Sequence, residues 1–497
     1  MSKLSRRSFM KTTAAGLAAV SVPFTARSYG EIVGSNEAVR VGVIGFNGRG
    51  KSHMHGVNEE AKKGGMKLSG LCDVDEKVLG AQMKNHDEKA VLGVTDMRKL
   101  FDSKTIDAVS IATPNHWHSL AAIWAIQAGK DVYCEKPVSH NVSEGRRLVE
   151  FARKYNKIVQ CGTQSRSSRQ GIAQGVEYVR SGKLGKILIA RGLCYKRRPS
   201  ISGDRGKATV PFNIPAGLDF DLWCGPAEKL PIMRKDLHYD WHWVWNTGNG
   251  DLGNQGIHEM DVARWFLGEQ ELSSKVLTVG GRLGYIDDGE TPNTMIVHHT
   301  FKTAPLLFEV RGLPDKPYPK GVKDRMDNFK GVGVGIVIEC ENGSVTIPSY
   351  SKAIVKDKEG KEVITFADKG ADGTDAHFAN WHKAIRSRKR EDLHAEIEEG
   401  HLSSALCHTG NISIRLGAAA DPDAIAAAVK EDAQFAEAFE RVKHHLELNK
   451  VDISKEKLTL GVPLTMDPKT EKFIGNADAD KMLTRNYRAP YIVPDKV

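Results

Sequence analysis

The segment from Val39 to Gly50 constrains this chain more than any other: an apolar run, 39–44, passes without a break into Gly45-Phe46-Asn47-Gly48-Arg49-Gly50. A strand that ends in closely spaced glycines and then opens a helix can bring backbone N–H groups against a pyrophosphate, whose charge the helix N-terminus meets. The pattern G-x-G-x-x-G is matched at Gly45 and Gly50, while Asn47 stands where its second glycine would be and Gly48 follows. Asparagine tolerates positive φ better than most residues, so the loop keeps its character. Alone, such a loop is also a turn in folds without a cofactor. Asp73 adds weight, because it ends the next apolar run, 28 residues after Gly45. A carboxylate there can hold both ribose hydroxyls and repels a 2′-phosphate, which favours NAD over NADP.

From Val39 onward, apolar runs alternate with helix-patterned stretches, the arrangement of a parallel sheet with crossover helices. Strands are predicted at 39–44, 67–72, 108–112, 131–134 and 158–161. Between them Leu120, Ile123, Trp124 and Gln127 follow helical spacing, closed by Gly129 as a C-terminal cap, and 142–155 repeats the plan with Leu148, Val149, Ala152 and Tyr155 inward. Residues 39–161 thus read as an α/β Rossmann dinucleotide-binding domain. After Gly162 the rhythm changes to a helix near 170–180, a strand at 187–195 and a long irregular stretch, 197–253. Its Trp223, Tyr239, Trp241, Trp243 and Trp245 argue against disorder. A helix at 256–267 and short strands near 275–285, 293–302, 305–312, 334–341 and 343–348 predict an α+β domain over 162–416, with a large, mostly antiparallel open sheet. Helices near 375–388 and 395–416 close it. Residues 417–497 form a C-terminal extension with one charged amphipathic helix, 423–448, expected to be a surface extension or an oligomer arm.

The chain has 497 residues, 40% of them hydrophobic and 27% charged, which suits a soluble globular protein of about two or three domains. Its net charge of +9 would suit a nucleic-acid partner if the basic residues clustered with aromatics on one element, and no such stripe is present. Five of the basic residues (Lys3, Arg6, Arg7, Lys11, Arg27) and no acidic residue lie within positions 1–28. That segment pairs Arg6-Arg7 with Phe9 ahead of a short apolar stretch, 12–24, and resembles a twin-arginine export signal. It implies passage through the twin-arginine machinery and a periplasmic protein, or one anchored on the outer side of the inner membrane. Seven scattered cysteines without a C-x-x-C pair predict small buried side chains, with no disulfide framework and no zinc site. His238, His242, His298 and His299 have no spacing that makes a metal centre.

Two further segments fall at carboxyl ends of predicted parallel strands, where open α/β sheets bind ligands. They are Thr113-Pro114-Asn115-His116-Trp117-His118 and Glu135-Lys136-Pro137. With the glycine loop, they resemble the glucose-fructose oxidoreductase/inositol dehydrogenase/MocA family of nicotinamide-dependent sugar oxidoreductases, over roughly residues 39–415. The resemblance implies that Thr113, Pro114, Asn115, His116, His118, Glu135 and Lys136 line the cofactor, alongside Gly45, Asn47, Gly48, Arg49, Gly50 and Asp73. It also implies that Lys136 contacts the reacting hydroxyl. A cation beside the C–O bond stabilises developing alkoxide, and burial lowers a lysine pKa toward acid–base usefulness. Glu135 can balance that charge. The family's glycine-rich run toward D-x-G-x-H is matched by Gly248-Asn249-Gly250-Asp251-Leu252-Gly253-Asn254-Gln255-Gly256-Ile257-His258. His258 is in place to accept a proton, while the aspartate is replaced by Asn254, which can orient a hydroxyl but cannot supply a carboxylate. Asp251, Glu259 and Asp261 are the candidates to compensate, Asp261 being better suited to structural pairing with Arg264 or Trp265.

On the substrate side, Gln164, Arg166, Tyr195, Arg197, Trp241, His242 and His258 are candidates, because aromatic rings pack on sugar C–H faces and cationic groups recognise hydroxyls or carboxylates. The same residue types serve core packing as readily. The sequence therefore implies an enzyme that moves hydride between NAD and a secondary hydroxyl of a sugar, cyclitol or glycoside. An alternative is a retained-NAD enzyme that cleaves glycosides by transient oxidation and elimination; another is a catalytically silent NAD- and sugar-binding protein, which Asn254 favours. The resemblance also implies a homo-oligomer assembled through the open face of the second sheet.

Overall fold

The structure, a computed structural model, describes residues 37–319, 321–369 and 373–497. The expected export signal at 1–28 lies outside the described residues. Six strands form the first sheet: β1 (Val39–Ile44), β2 (Met66–Cys72), β3 (Leu92–Val94), β4 (Ala108–Ile111), β5 (Asp131–Cys134) and β6 (Val159–Cys161). All pair in parallel in the order β3-β2-β1-β4-β5-β6. Val39, Val41 and Val43 of β1 are fully buried, as are Val109 and Ile111 of β4 and Val132 and Cys134 of β5. A parallel sheet covered by helices on both faces needs such continuous apolar strands. Three of those helices are α1 (Gly50–Lys62), α2 (His118–Gln127) and α3 (Val142–Lys154). Gly129 stops the chain after α2 at φ +83°, the cap expected of it. The edge strand β3 is one element the sequence reading passed over; at three residues it is too short to show a period.

The second sheet runs β14-β13-β12-β11-β7-β10-β9-β8-β16-β15, with β17 also on β8. These are β7 (Ile187–Tyr195), β8 (Lys275–Gly281), β9 (Thr294–Thr300), β10 (Leu306–Arg311), β11 (Val334–Cys340), β12 (Gly343–Ser349), β13 (Lys352–Lys356), β14 (Glu362–Ala367), β15 (Ala418–Ala420), β16 (Leu458–Leu460) and β17 (Leu464–Asp467). Only β7 and β10 pair in parallel; the rest are antiparallel. One face, with Ala190, Phe308, Ile336 and Ile338, packs with α4 (Ile257–Leu267) and α5 (Ile397–Arg415).

The other face carries Ile189, Val279, Ile296 and Leu307, and it is covered by the chain's own C-terminal residues. The single helix expected at 423–448 is two, Pro422–Val429 and α6 (Ala433–Leu448), because Asp432 turns out of the helix and caps α6 through Gln434 N and Phe435 N. Phe435, Phe439, Val442 and Leu446 recur every three or four residues and lie buried on that face. Each contributes about 1.5–3 kcal/mol by burial, so α6 is core and not a free arm. A buried carboxylate fastens it: Glu309 of β10 accepts from Tyr195 Oη at 2.7 Å and from Arg441 Nη1 at 2.8 Å. Over β7 to β10, the sheet face that the resemblance assigns to assembly is thus occupied within one chain. The extension then adds β15 to β17 to the sheet edge and ends on the first domain, where Tyr491 packs against Trp117 and Trp124, with ring centroids 5.5 and 6.2 Å apart. All seven cysteines are buried thiols.

Candidate active site

A cleft of about 340 Å³ opens at the carboxyl ends of β1, β2, β4 and β5. Its floor is the glycine loop. Gly45 takes φ +76°, and a Cβ there would meet Ala112 O and Thr113 N at 3.0 Å, so the chain can pass this close to β4 only as glycine. A Cβ on Gly50 would lie 2.1 Å from Gly45 O, which fixes the third fingerprint position by the contact between loop and α1. Asn47, the departure from the fingerprint, does not need positive φ, which is confined in this loop to Gly45. Asn47, Gly48 and Arg49 line the cleft, and α1 begins there with no side-chain cap on its N-terminal amides.

Asp73 lies on the cleft wall. Its Oδ2 accepts from Phe46 N at 3.1 Å and its Oδ1 from Asp75 N at 3.1 Å, so the carboxylate braces the glycine loop as well as facing the cleft. Burial raises its pKa against those two bonds. Thr113, Pro114 and Asn115 form the opposite wall, where Thr113 Oγ1 and Asn115 Nδ2 are buried without a partner. A cleft with a glycine-lined turn, an open helix N-terminus, a carboxylate at the ribose position and unspent polar atoms fits a dinucleotide.

The two histidines of the Thr113 segment separate in role. His118 lines the cleft and bridges its walls: Nε2 meets Thr113 O at 2.7 Å and Nδ1 meets Pro137 O at 2.6 Å. His116, also expected on the cofactor, points away to Trp223 O at 2.9 Å and Thr247 O at 3.3 Å, because it sits two positions earlier in a tight turn. Its pKa falls to about 3, chiefly through burial, so it is a neutral strut.

Glu135 and Arg49 both border the cleft but are bound to each other, Arg49 Nε to Glu135 Oε1 at 2.8 Å. His53 Nε2 reaches the same oxygen at 3.0 Å, and its Nδ1 meets Ser110 Oγ at 2.6 Å. A Cβ on Gly162 would collide with this carboxylate at 2.8 Å. Burial opposes ionisation of Glu135, but Arg49 and His53 outweigh it and hold the group well below the usual carboxylate range. His53 was not foreseen; its one signal is a polar residue on the buried side of α1.

Lys136 follows on the same strand end. Its Nζ donates to Asn254 O at 2.6 Å, and burial lowers its pKa, against the pull of Glu135. Asn254 lines the cleft from a π-helical turn, Leu252–Gly256, that leads into α4. Such a turn packs an extra residue ahead of the helix and is frequent at functional sites. His258 stands one turn further on, beside Lys136 rather than on the cleft wall. Its ring lies 4.9 Å from that of Tyr350, and its Nδ1 is buried without a partner. Burial and the Lys136 charge hold it well below its usual pKa.

Of the carboxylates able to stand in for the missing aspartate, two are committed elsewhere. Asp251 pairs with Arg198, whose Nε donates to Oδ2 at 2.8 Å, and Asp261 binds Arg166 and Ser403 Oγ at 2.9 and 2.7 Å. Glu259 remains. Its Oε1 accepts from Gln255 Nε2 at 2.9 Å, its Oε2 has no partner, and burial raises it to about 8. Burial thus favours its protonated form.

The substrate candidates divide in the same way. Trp241 and His242 line the cleft with their rings stacked 3.6 Å apart, joined by Trp223, His238 and Tyr239, which sequence reasoning did not single out for the site. His238 Nε2 ties this irregular stretch to Asp75 at 3.1 Å. Four further candidates do not line this cleft. Arg166 is consumed by Asp261 and Glu399, the latter at 3.0 Å. Tyr195 lies beneath α6, because strand alternation sends it to the face opposite Cys194. Arg197 pairs with Asp324 and borders an adjoining cavity of about 390 Å³ that shares Tyr239 with the cleft. Gln164 is buried in the turn after β6 with its Oε1 unpaired and is not on the cleft wall. Among the described residues, no cluster of His, Cys, Asp or Glu is placed to hold a metal.

A Rossmann sheet, a dinucleotide cleft at its carboxyl edge and a lysine between that cleft and the second domain define a nicotinamide-dependent oxidoreductase of two domains. Residues 39–163 match the model of the oxidoreductase family's NAD-binding Rossmann fold, and 178–287 that of its C-terminal alpha/beta domain. An inositol 2-dehydrogenase/D-chiro-inositol 3-dehydrogenase of Shouchella clausii is 30% identical over 367 residues, covering 73% of this chain and 84% of that one. A glycosyl hydrolase family 109 protein of a Shewanella species is 28% identical over 211 residues, 38% of this chain and 45% of that protein. Among solved structures, a levoglucosan dehydrogenase in complex with NADH and levoglucosan aligns with a TM-score of 0.51 at 18% identity, over 74% of this chain and 97% of that one. The chain belongs to the glucose-fructose oxidoreductase/inositol dehydrogenase/MocA family, and it is an NAD-dependent oxidoreductase acting on CH–OH groups.

Proposed function

We propose that the enzyme oxidises a secondary hydroxyl of a sugar, cyclitol or glycoside seated between the Lys136 end of the cleft and the Trp241–His242 wall. The observation that carries this is the placement of Lys136 Nζ on Asn254 O, at the junction of the cofactor cleft and a wall of stacked aromatic rings. NAD held in the cleft would supply the hydride acceptor. Lys136, its pKa lowered by burial, takes the hydroxyl proton as a neutral amine, and Asn254 fixes the direction from which Nζ approaches. His258, held neutral by burial and the Lys136 charge, adds no competing charge beside the amine. Inositol and levoglucosan dehydrogenases among the relatives support a polyhydroxy substrate. The test is a panel of sugars and cyclitols with NADH absorbance as readout; no NADH from any of them, with NAD bound, would remove this reading.

Two variants probe its parts. Asp73→Asn weakens NAD binding by about ten- to a hundredfold, the loss of a charge-assisted bond to ribose, and narrows the margin over NADP. Titration of both cofactors by protein fluorescence checks it. Asn254→Asp places a carboxylate beside Lys136, favours the ammonium form, and moves the rising limb of the pH–rate profile up by about one unit or more. A limb that stays in place would show that residue 254 does not sense Lys136.

A second reading is favoured by how the aromatic wall is held. Arg488 Nε donates to Gly225 O at 3.1 Å, and Arg485 Nη1 to Asn246 O at 2.8 Å, so the C-terminal extension clamps both ends of the loop over the cleft. A clamped loop suits a retained NAD, reduced and reoxidised within one turnover, as glycoside cleavage by oxidation and elimination requires. The match to a glycosyl hydrolase family 109 protein, and the export expected from residues 1–28, support it. Aglycone release without net NADH, from protein purified with NAD already bound, distinguishes this route from net dehydrogenation.

A further inference from the structure

A second cavity, of about 370 Å³, shares no lining residue with the cofactor cleft. It lies behind the glycine-rich segment that carries Asn254, between α5 and the last turns of the C-terminal extension. Two arginines, Arg415 and Arg485, border it, and neither has a carboxylate within ion-pair distance among the described residues. Arg415 lies over the Trp245 ring at 5.0 Å from its centroid. Arg485 spends its Nη2 on Asn246 Oδ1 at 2.6 Å and its Nη1 on Asn246 O, both uncharged.

Buried donors without acceptors line the same space. Asn249, 4% exposed, has its Nδ2 amide unpaired. His140 receives Arg485 Nη1 on its Nδ1 at 3.4 Å; because an arginine can only donate, the proton of the neutral ring sits on Nε2, which also lacks a partner. The two acidic residues on the rim, Glu228 and Glu290, are exposed, and Glu290 Oε2 is taken by Trp245 N at 2.7 Å. The cavity therefore presents two guanidinium groups and two buried N–H donors, on Asn249 and His140, with nothing inside to receive them. Leaving such donors unmet is costly, and a multi-acceptor anion meets them together.

We infer that this cavity binds a small oxyanion, a carboxylate or phosphate group, with Arg415 and Arg485 as its charged contacts. The volume exceeds that of one such group, and Trp245, Ile412 and Met482 on the wall suit a short organic body attached to it. Holoprotein saturated with NAD, so that the pyrophosphate site is filled, is titrated calorimetrically with inorganic phosphate and with malonate, against chloride at equal ionic strength. Saturable binding of one equivalent is expected, phosphate against malonate deciding which oxyanion is preferred. Arg415→Gln, which removes an exposed side chain that makes no buried hydrogen bond, weakens it by about tenfold or more. Arg415→Lys keeps charge but loses the fork and falls between. Lys455→Gln, remote from the cavity, leaves binding unchanged. No saturable binding of either anion, or undiminished binding in Arg415→Gln, overturns the assignment.

Discussion

Lys136→Met lowers kcat by about 10²–10⁴, the range for loss of a positioned acid–base group, while NAD binding stays near the wild-type value. The prediction rests on where the amine is held. Nζ has one hydrogen-bond partner, the carbonyl of Asn254, and that carbonyl carries no proton and no charge to compete for one. Glu135, the nearest carboxylate in sequence, is already bound to Arg49 and His53 and accepts Lys136 N with its other oxygen at 3.0 Å. Burial thus lowers the lysine pKa with only partial compensation. For alcohol oxidation the active form is the free amine, so the rate rises with pH and levels off below the ordinary lysine pKa. In the reverse direction the ammonium form is required, and the limb falls with pH through the same value. Lys136→Met abolishes this limb in both directions. A variant that loses rate but keeps the wild-type limb would transfer the proton to another group, with His258 as the first to test. Methionine fills the volume of the lysine stem, so retained NAD affinity separates loss of chemistry from loss of fold.

Much of this was legible in the sequence because it depends on local rules. The turn at Gly45, the packing contact at Gly50 and the carboxylate at Asp73 follow from a strand, a loop and a helix within 35 residues, and each is fixed by backbone geometry that few residues satisfy. Lys136 was visible for the same reason, as the residue at a parallel strand end. What failed was assignment by residue type alone. Tyr195 ends a strand as Lys136 does, but strand alternation and a helix more than 200 residues later decide where it points, and Arg197, just past that strand, is taken by Asp324 of a distant loop. His116 and His118 look equivalent in sequence and differ only because a tight turn rotates one of them toward Trp223. The extension shows the same limit. Its apolar spacing at Phe435, Phe439, Val442 and Leu446 was readable as a buried face, but no local rule says that the face belongs on β7 to β10 of the same chain.

Asp261→Ala destabilises the protein by about 3–5 kcal/mol, the cost of leaving a buried charge without its partner. Two guanidinium groups, Arg166 and Arg264, are buried at this point, and two carboxylates, Asp261 and Glu399, hold them. Arg166 grips Asp261 with Nε and Nη2 at 2.9 Å, and Ser403 Oγ donates to the same carboxylate. Burial alone would lower the Arg166 pKa, and Asp261 with Glu399 more than restores it. Removing Asp261 leaves both cations on Glu399, whose carboxylate is partly open to solvent. The loss appears as a lower urea midpoint. Replacing Arg166 as well, in Arg166→Met/Asp261→Met, recovers most of it, because an apolar pair of similar volume needs no counter-charge. The cycle also decides what Arg166 does. As a substrate contact, Arg166→Met would raise KM while leaving stability near wild type; as one member of this cluster, it lowers stability and leaves KM for the sugar within a fewfold. The geometry favours the second outcome, since Nε and both Nη2 hydrogens are directed at Asp261 and Glu399, while the rings of the Trp241–His242 wall face the cleft.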